Sequence, residues 1–104
     1  MTIVTSENFE KEVLESSIPV VIDFFADWCI PCKMFAPIFE ETAEEFEGKV
    51  KFVKVNIDAS PRLAQKYRVM SIPTIKLVQG DEILGESVGA MAQEEFEDWL
   101  NECL

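Results

Sequence analysis

The stretch Pro19-Val20-Val21-Ile22-Asp23-Phe24-Phe25-Ala26-Asp27-Trp28-Cys29-Ile30-Pro31-Cys32-Lys33 decides how this chain folds. Pro19 to Phe25 is short, nearly all apolar, and rich in β-branched and aromatic residues. That pattern predicts a central strand covered on both faces. The period then changes. From Lys33 to about Glu47 the residues Phe35, Ile38, Phe39, Ala43 and Phe46 recur at helical spacing, with Gly48 placed to end the helix. Pro37 inside that helix is expected to kink it. A buried strand running straight into an amphipathic helix is half of an α/β unit.

Working outward, Thr2 to Thr5 predicts a short strand, and Ser6 the N-cap of a helix through Glu15 that buries Phe9, Val13 and Leu14. Downstream, Val50 to Asn56 is a second apolar strand. Ser60-Pro61 is a cap followed by proline at the first helical position, with Leu63, Ala64 and Tyr67 facing inward. Thr74 to Val78 and Ile83 to Val88 form a hairpin about Gln79-Gly80-Asp81-Glu82. Gln93 to Glu102 is a last helix burying Phe96 and Leu100, with Trp99 at its margin. The order βαβαβαββα, without linker or repeat, is an α/β sandwich: helical crossovers give parallel pairs, and the hairpin adds an antiparallel edge.

The 104 residues fit one domain, 1–104, and a 48% apolar content can fill its core. Nine Lys and Arg against twenty Asp and Glu give a formal net charge of −11. That disfavours a nucleic-acid partner and an anionic membrane surface, both of which need cationic side chains. The longest mostly apolar stretch, Ile18 to Ala26, is too short to span a bilayer. No basic region and apolar core of a secretory leader precede the first strand, so a cytoplasmic location with reduced thiols is expected. With no His, imidazole catalysis and His-containing metal sites are excluded.

Three cysteines remain, Cys29, Cys32 and Cys103. An odd, sparse set is not a secreted disulfide scaffold. It also falls short of the four ligands that structural zinc or an iron–sulfur cluster takes, so no metal is expected. In a reducing compartment the C-x-x-C reads as redox chemistry. Cys29 falls at a helix N-terminus, where free backbone N–H groups and the macrodipole favour a thiolate. Cys32 lies one turn on, and Pro31 stiffens the link. Cys29 is therefore expected to attack and Cys32, more buried, to resolve. Asp23 interrupts a strand that looks buried on both faces. Desolvation would raise its pKa toward neutrality and suit it to exchange a proton with Cys32. Ser71-Ile72-Pro73-Thr74, taken alone, is an ordinary trans loop end before a strand.

These residues together carry a resemblance. Asp23 to Lys33, Ala36-Pro37, Lys54-Val55-Asn56-Ile57-Asp58, Ile72-Pro73-Thr74 and Val88-Gly89-Ala90 resemble, in order and in register, the motifs of the thioredoxin family. The match runs from Thr5 to the final helix. It implies a thioredoxin fold, a five-stranded mixed sheet flanked by four α-helices. It implies a protein-disulfide reductase that needs no bound cofactor, its electrons residing in a redox-active Cys29–Cys32 disulfide. Its partners would be disulfide-containing clients and a thioredoxin reductase, NADPH- or ferredoxin-linked, and the chain would act as a monomer. Asp23 would be the buried carboxylate below the cysteines, with Lys54 its charge neighbour. The Ile72–Pro73 bond would be cis, with Pro73 beside the site, where it also keeps a potential metal position free of a ligand. Trp28, Ile30, Pro31, Ile72, Gly89 and Ala90 would form the apolar docking rim.

The chain departs from the family at Ile30, where glycine is usual, and at Phe25, where tryptophan is common. Retention of Pro31 favours a reductant over an oxidase or isomerase. A redox-inactive binding module would need neither cysteine. Cys103 is expected to be a small buried thiol of the last helix. The eight acids after Lys76, with no Lys or Arg among them, read equally as a solvated surface or as a field that steers a basic partner.

Overall fold

The computed structural model describes residues 1–104. Five strands, β1 (Thr2–Ile3), β2 (Val20–Phe25), β3 (Lys51–Asn56), β4 (Thr74–Gln79) and β5 (Glu82–Val88), form one sheet in the order β1-β3-β2-β4-β5. Three α-helices, α1 (Ile30–Glu45), α2 (Pro61–Lys66) and α3 (Gln93–Cys103), and a π-helical turn at Glu10–Leu14 flank it. The pairs β1–β3 and β2–β3 are parallel, whereas β2–β4 and β4–β5 are antiparallel. This is the mixed five-stranded thioredoxin fold. The change of direction comes between β3 and β4, where the connection holds only a short helix. The six residues of α2 rise only about 9 Å, less than half the ~20 Å of a six-residue strand. The connection as a whole leaves and re-enters the sheet at one end, since Phe25 pairs with Asn56 and Phe24 with Thr74, so β4 returns antiparallel.

Alternation along the strands sends side chains to two cores. Val20, Ile22 and Phe24 of β2 pack with Phe9, Val13, Val53, Val55, Leu63 and Tyr67 on the α2 face. Val21 packs with Phe35, Phe39, Phe52, Phe96 and Leu100 on the α1–α3 face. Five of the six β2 residues are buried, as its composition demands. Phe39 and Phe96 stack at 5.8 Å, and Phe35 meets Phe96 edge-on at 5.1 Å, so α1 and α3 interlock through aromatic rings.

Local chemistry overrides the sequence pattern in three places. The helix expected from Ser6 to Glu15 is present but shorter: residues 6–8 form a turn, and the helix over Glu10–Leu14 is one wide π-helical turn. Asn8 is the cause: its Oδ1 accepts from Thr5 N–H (2.7 Å) and its Nδ2 donates to Ile3 O (3.1 Å), engaging backbone groups near the position where Ser6 would have capped. The wide turn closes with Glu15 N–H on Glu10 O (2.9 Å), and Phe9 and Val13 are still buried. Ser60 stands at the N-cap of α2 but its hydroxyl makes no capping bond. Asn56 organises that turn instead, its Oδ1 accepting from Asp58 N–H (2.9 Å) and Ala59 N–H (3.2 Å). Ala64, expected inward, is only half-buried.

Gly85 of β5 carries a packing role that the sequence does not announce. A Cβ there would overlap Cys103 Sγ and lie 3.1 Å from Cys103 Cβ and 3.3 Å from Trp99 Cζ2. The missing side chain lets the end of α3 settle on the sheet. Cys103 itself is half-buried, and burial with Glu102 nearby raises its pKa, so it is held as a thiol.

Candidate active site

The turn after β2 ends at Cys29, the N-cap residue of α1, with Pro31 in the first turn. Cys29 and Cys32 form a disulfide with Cα atoms 5.3 Å apart. Cys32 N–H points at Cys29 Sγ, 3.2 Å away. A free N–H of the helix start thus addresses the sulfur of Cys29, which favours negative charge there once the disulfide is opened. The Ile72 carbonyl oxygen lies 3.9 Å from the same sulfur. Both cysteines are buried, at 4% and 3% exposure, so accessibility barely separates them and the helix-terminus geometry does.

Two loops complete the surroundings. The Ile72–Pro73 peptide is cis, Pro73 is buried, and Ile72 packs on the Ala26, Cys29 and Cys32 cluster. Gly89 N–H donates to Pro73 O (2.8 Å), bringing the β5–α3 loop beside the β4 entry. Gly89 has φ = 101°, a left-handed conformation that glycine adopts without strain. Trp28 and Ile30 are 67% and 68% exposed, Pro31 and Ala90 are exposed, and Ile72 and Gly89 are half-buried. The six residues expected at the rim lie on three segments: the one that carries the cysteines, that of Ile72, whose carbonyl faces Cys29 Sγ, and that of Gly89, tied to Pro73.

Asp23 lies on the α1 side of the sheet, by alternation with Val21. It is fully buried, and neither carboxylate oxygen has a hydrogen-bond partner. Burial pushes its pKa from an ordinary 3.8 up to about 7, against the opposing pull of Lys54. Lys54 is its register partner on β3. The two do not form an ion pair: the Lys54 ammonium sits 4.6 Å from the centroid of the Phe25 ring. A cavity of about 350 Å³ lined by Phe25, Asp27, Cys32, Lys33, Ala36 and Lys54 opens on the inner sulfur.

Three neighbours were not singled out from sequence. Trp28 Nε1 donates to Asp58 Oδ2 (2.8 Å), a contact across thirty residues that no local pattern encodes. Met34 and Met70 are 67% and 94% exposed on the two segments that carry the cysteines and Ile72. An unburied methionine two residues before Ile72 is a signal that could have been read. No group of three or more His, Cys, Asp or Glu side chains converges on a metal position. No helix is long and apolar enough to cross a membrane.

Comparison with known proteins agrees with this geometry. The family model described as Thioredoxin matches residues 1–102. The chain is 45% identical over 101 residues to a protein named Thioredoxin from Rickettsia felis, covering 97% of this chain and 96% of the relative. It is 47% identical over 88 residues to Thioredoxin 1 of Nostoc sp., covering 85% and 82%. It is 46% identical over 98 residues to Thioredoxin of Buchnera aphidicola subsp. Schizaphis graminum, covering 94% and 91%.

Proposed function

The chain belongs to the thioredoxin family, and from that premise we propose how its residues divide the work of dithiol–disulfide exchange. It is a thiol–disulfide oxidoreductase, a protein-disulfide reductase whose electrons are carried by the Cys29–Cys32 pair and by no bound cofactor. Cys29 is the nucleophile. Its thiolate attacks one sulfur of a client disulfide, that S–S bond breaks, and the departing client thiolate takes up a proton. Cys32 then loses its proton and attacks Cys29 Sγ in the mixed disulfide, releasing the second client thiol. Two electrons pass to the client and the Cys29–Cys32 bond closes. The observation that carries this assignment is the position of Cys29 at the N-cap of α1, with Cys32 N–H aimed at its sulfur.

Asp23 is the proton acceptor for Cys32, because burial holds it near neutrality, where it can both take and return a proton. Lys54 tempers that shift by its charge. Pro73, in its cis bond, shapes the loop beside the sulfurs. Trp28, Ile30, Pro31, Ile72, Gly89 and Ala90 form the docking rim, where Ile72 backbone groups pair with an extended client segment. Residues 1–104 act as one domain and as a monomer in the cytoplasm, recharged by a thioredoxin reductase linked to NADPH or ferredoxin.

The test is the reduction potential of Cys29–Cys32, set against defined thiol–disulfide buffers. A value near roughly −270 mV is expected for a reductant, and one at roughly −120 to −180 mV would assign an oxidant or isomerase instead. Replacing Ile30 with Gly in the same assay shows how far this residue tunes the couple.

A further inference from the structure

Three of the nine Lys and Arg residues of this acidic chain, Lys66, Arg68 and Lys76, line one cavity of about 410 Å³ between the end of α2 and the β4–β5 hairpin. Tyr67, Ile83 and Glu86 complete its wall. Lys76 points to the α2 face of β4, as Val78 does, and is only 5% exposed. Its ammonium carries three N–H donors and makes one hydrogen bond, to its register partner Glu86 on β5. Lys66 and Arg68 belong to no ion pair; the chain has two, Lys51–Glu12 and Lys76–Glu86. The Lys66 ammonium is instead held 5.6 and 5.9 Å from the ring centroids of Phe9 and Tyr67.

We propose that Lys66, Arg68 and Lys76 form a binding site for a small multivalent oxyanion of the phosphate type. Three cations against Glu86 leave a local excess of positive charge, which persists when Asp81, in the adjoining smaller cavity with Lys66 and Tyr67, is counted. The −11 of the whole chain does not cancel this excess, since charges beyond about 8 Å are largely screened at physiological ionic strength. An arginine fork with two ammonium groups suits a tetrahedral dianion better than a single carboxylate, which needs only one cation. Arg68 and Lys76 bracket the segment that carries Ile72 and Pro73. The site is thus distinct from the cysteines but built on the same stretch of chain.

Titration of the oxidised, isotope-labelled protein with sodium phosphate, against sodium chloride at matched ionic strength and pH 7.5, tests this by amide shifts. Saturable shifts confined to residues 66–68, 76 and 83–86 are expected with phosphate and absent with chloride. Arg68 has φ = 55°, a conformation that glycine adopts freely, so R68G removes the guanidinium without a backbone penalty. It should weaken phosphate binding at least tenfold, while K49A, at an exposed lysine outside the cavity, should leave it unchanged. A phosphate monoester titrated in parallel separates the two sources. Tighter binding than inorganic phosphate points to the phosphoryl group of a larger ligand, and equal or weaker binding to the free anion. Linear shifts matched by chloride, or an unchanged affinity in R68G, would overturn the proposal.

Discussion

Asp23→Ala isolates the energetic cost of the buried carboxylate. Asp23 is fully buried with both oxygens unpartnered, and its pKa rises from 3.8 to about 7 on folding. Between these values the native state holds a proton that the unfolded state has already lost. Stability therefore falls as pH rises through this range and levels off above about 7. At 1.36 kcal/mol per pH unit, the full gap corresponds to about 4 kcal/mol lost by pH 8 relative to strong acid. Because the chain has a pI near 4.3, the useful window begins at pH 5. From there to pH 8 the linkage relation leaves roughly 2–3 kcal/mol. Urea unfolding of the oxidised wild type and of D23A, at half-unit pH steps, is the assay. Any cavity left by the alanine costs the same at every pH, so the difference between the two curves reports the carboxylate alone. D23A should gain on the wild type by roughly 2–3 kcal/mol across the window, with most of the gain below pH 7. A difference that does not move with pH would refute the reasoning, because Asp23 would then be solvated or paired in the native state.

The remaining predictions concern the sulfurs, the rim and the sheet. C32S should accumulate a one-to-one mixed disulfide between Cys29 and a client, seen on non-reducing gels and reversed by a small thiol, whereas C29S should form none. D23N should slow the resolving step by roughly 10²-fold, within the range of general-base effects, with little change in client binding, as single-turnover kinetics would show. Trp28→Ala should raise the KM for a protein disulfide about tenfold through loss of an exposed indole, a change of roughly 1.4 kcal/mol, while its kcat stays within a factor of two. Gly85→Ala should destabilise the fold by about 1–3 kcal/mol through overlap with Cys103 and Trp99. G85A/C103A should recover part of that loss, as read from urea midpoints.

The sequence by itself determined the order of elements, because each signal is local. The apolar run Val20 to Phe25 could only be a buried strand, the 3.6-residue stripe from Phe35 to Phe46 only a helix, and Gly80-Asp81 a hairpin turn. It also marked both cysteines and made Asp23 conspicuous, since a carboxylate inside a two-faced apolar strand is costly wherever the strand packs. The first helix was legible in its place and its buried face, but not its late start or its wide winding, because Asn8 competes for backbone groups through a side-chain geometry that a periodicity count does not see. Tertiary structure alone decided four things. It turned β4 antiparallel, by starting it at the end of the sheet where β3 finishes. It set Lys54 beside Asp23 as a charge and not as an ion-pair partner. It tied Trp28 to Asp58, and it required a bare Cα at Gly85. The physical reason is shared. Propensity and period act over a few residues and are written along the chain, whereas desolvation, register and steric fit depend on groups far apart in the chain that meet only when both faces of the sheet have closed.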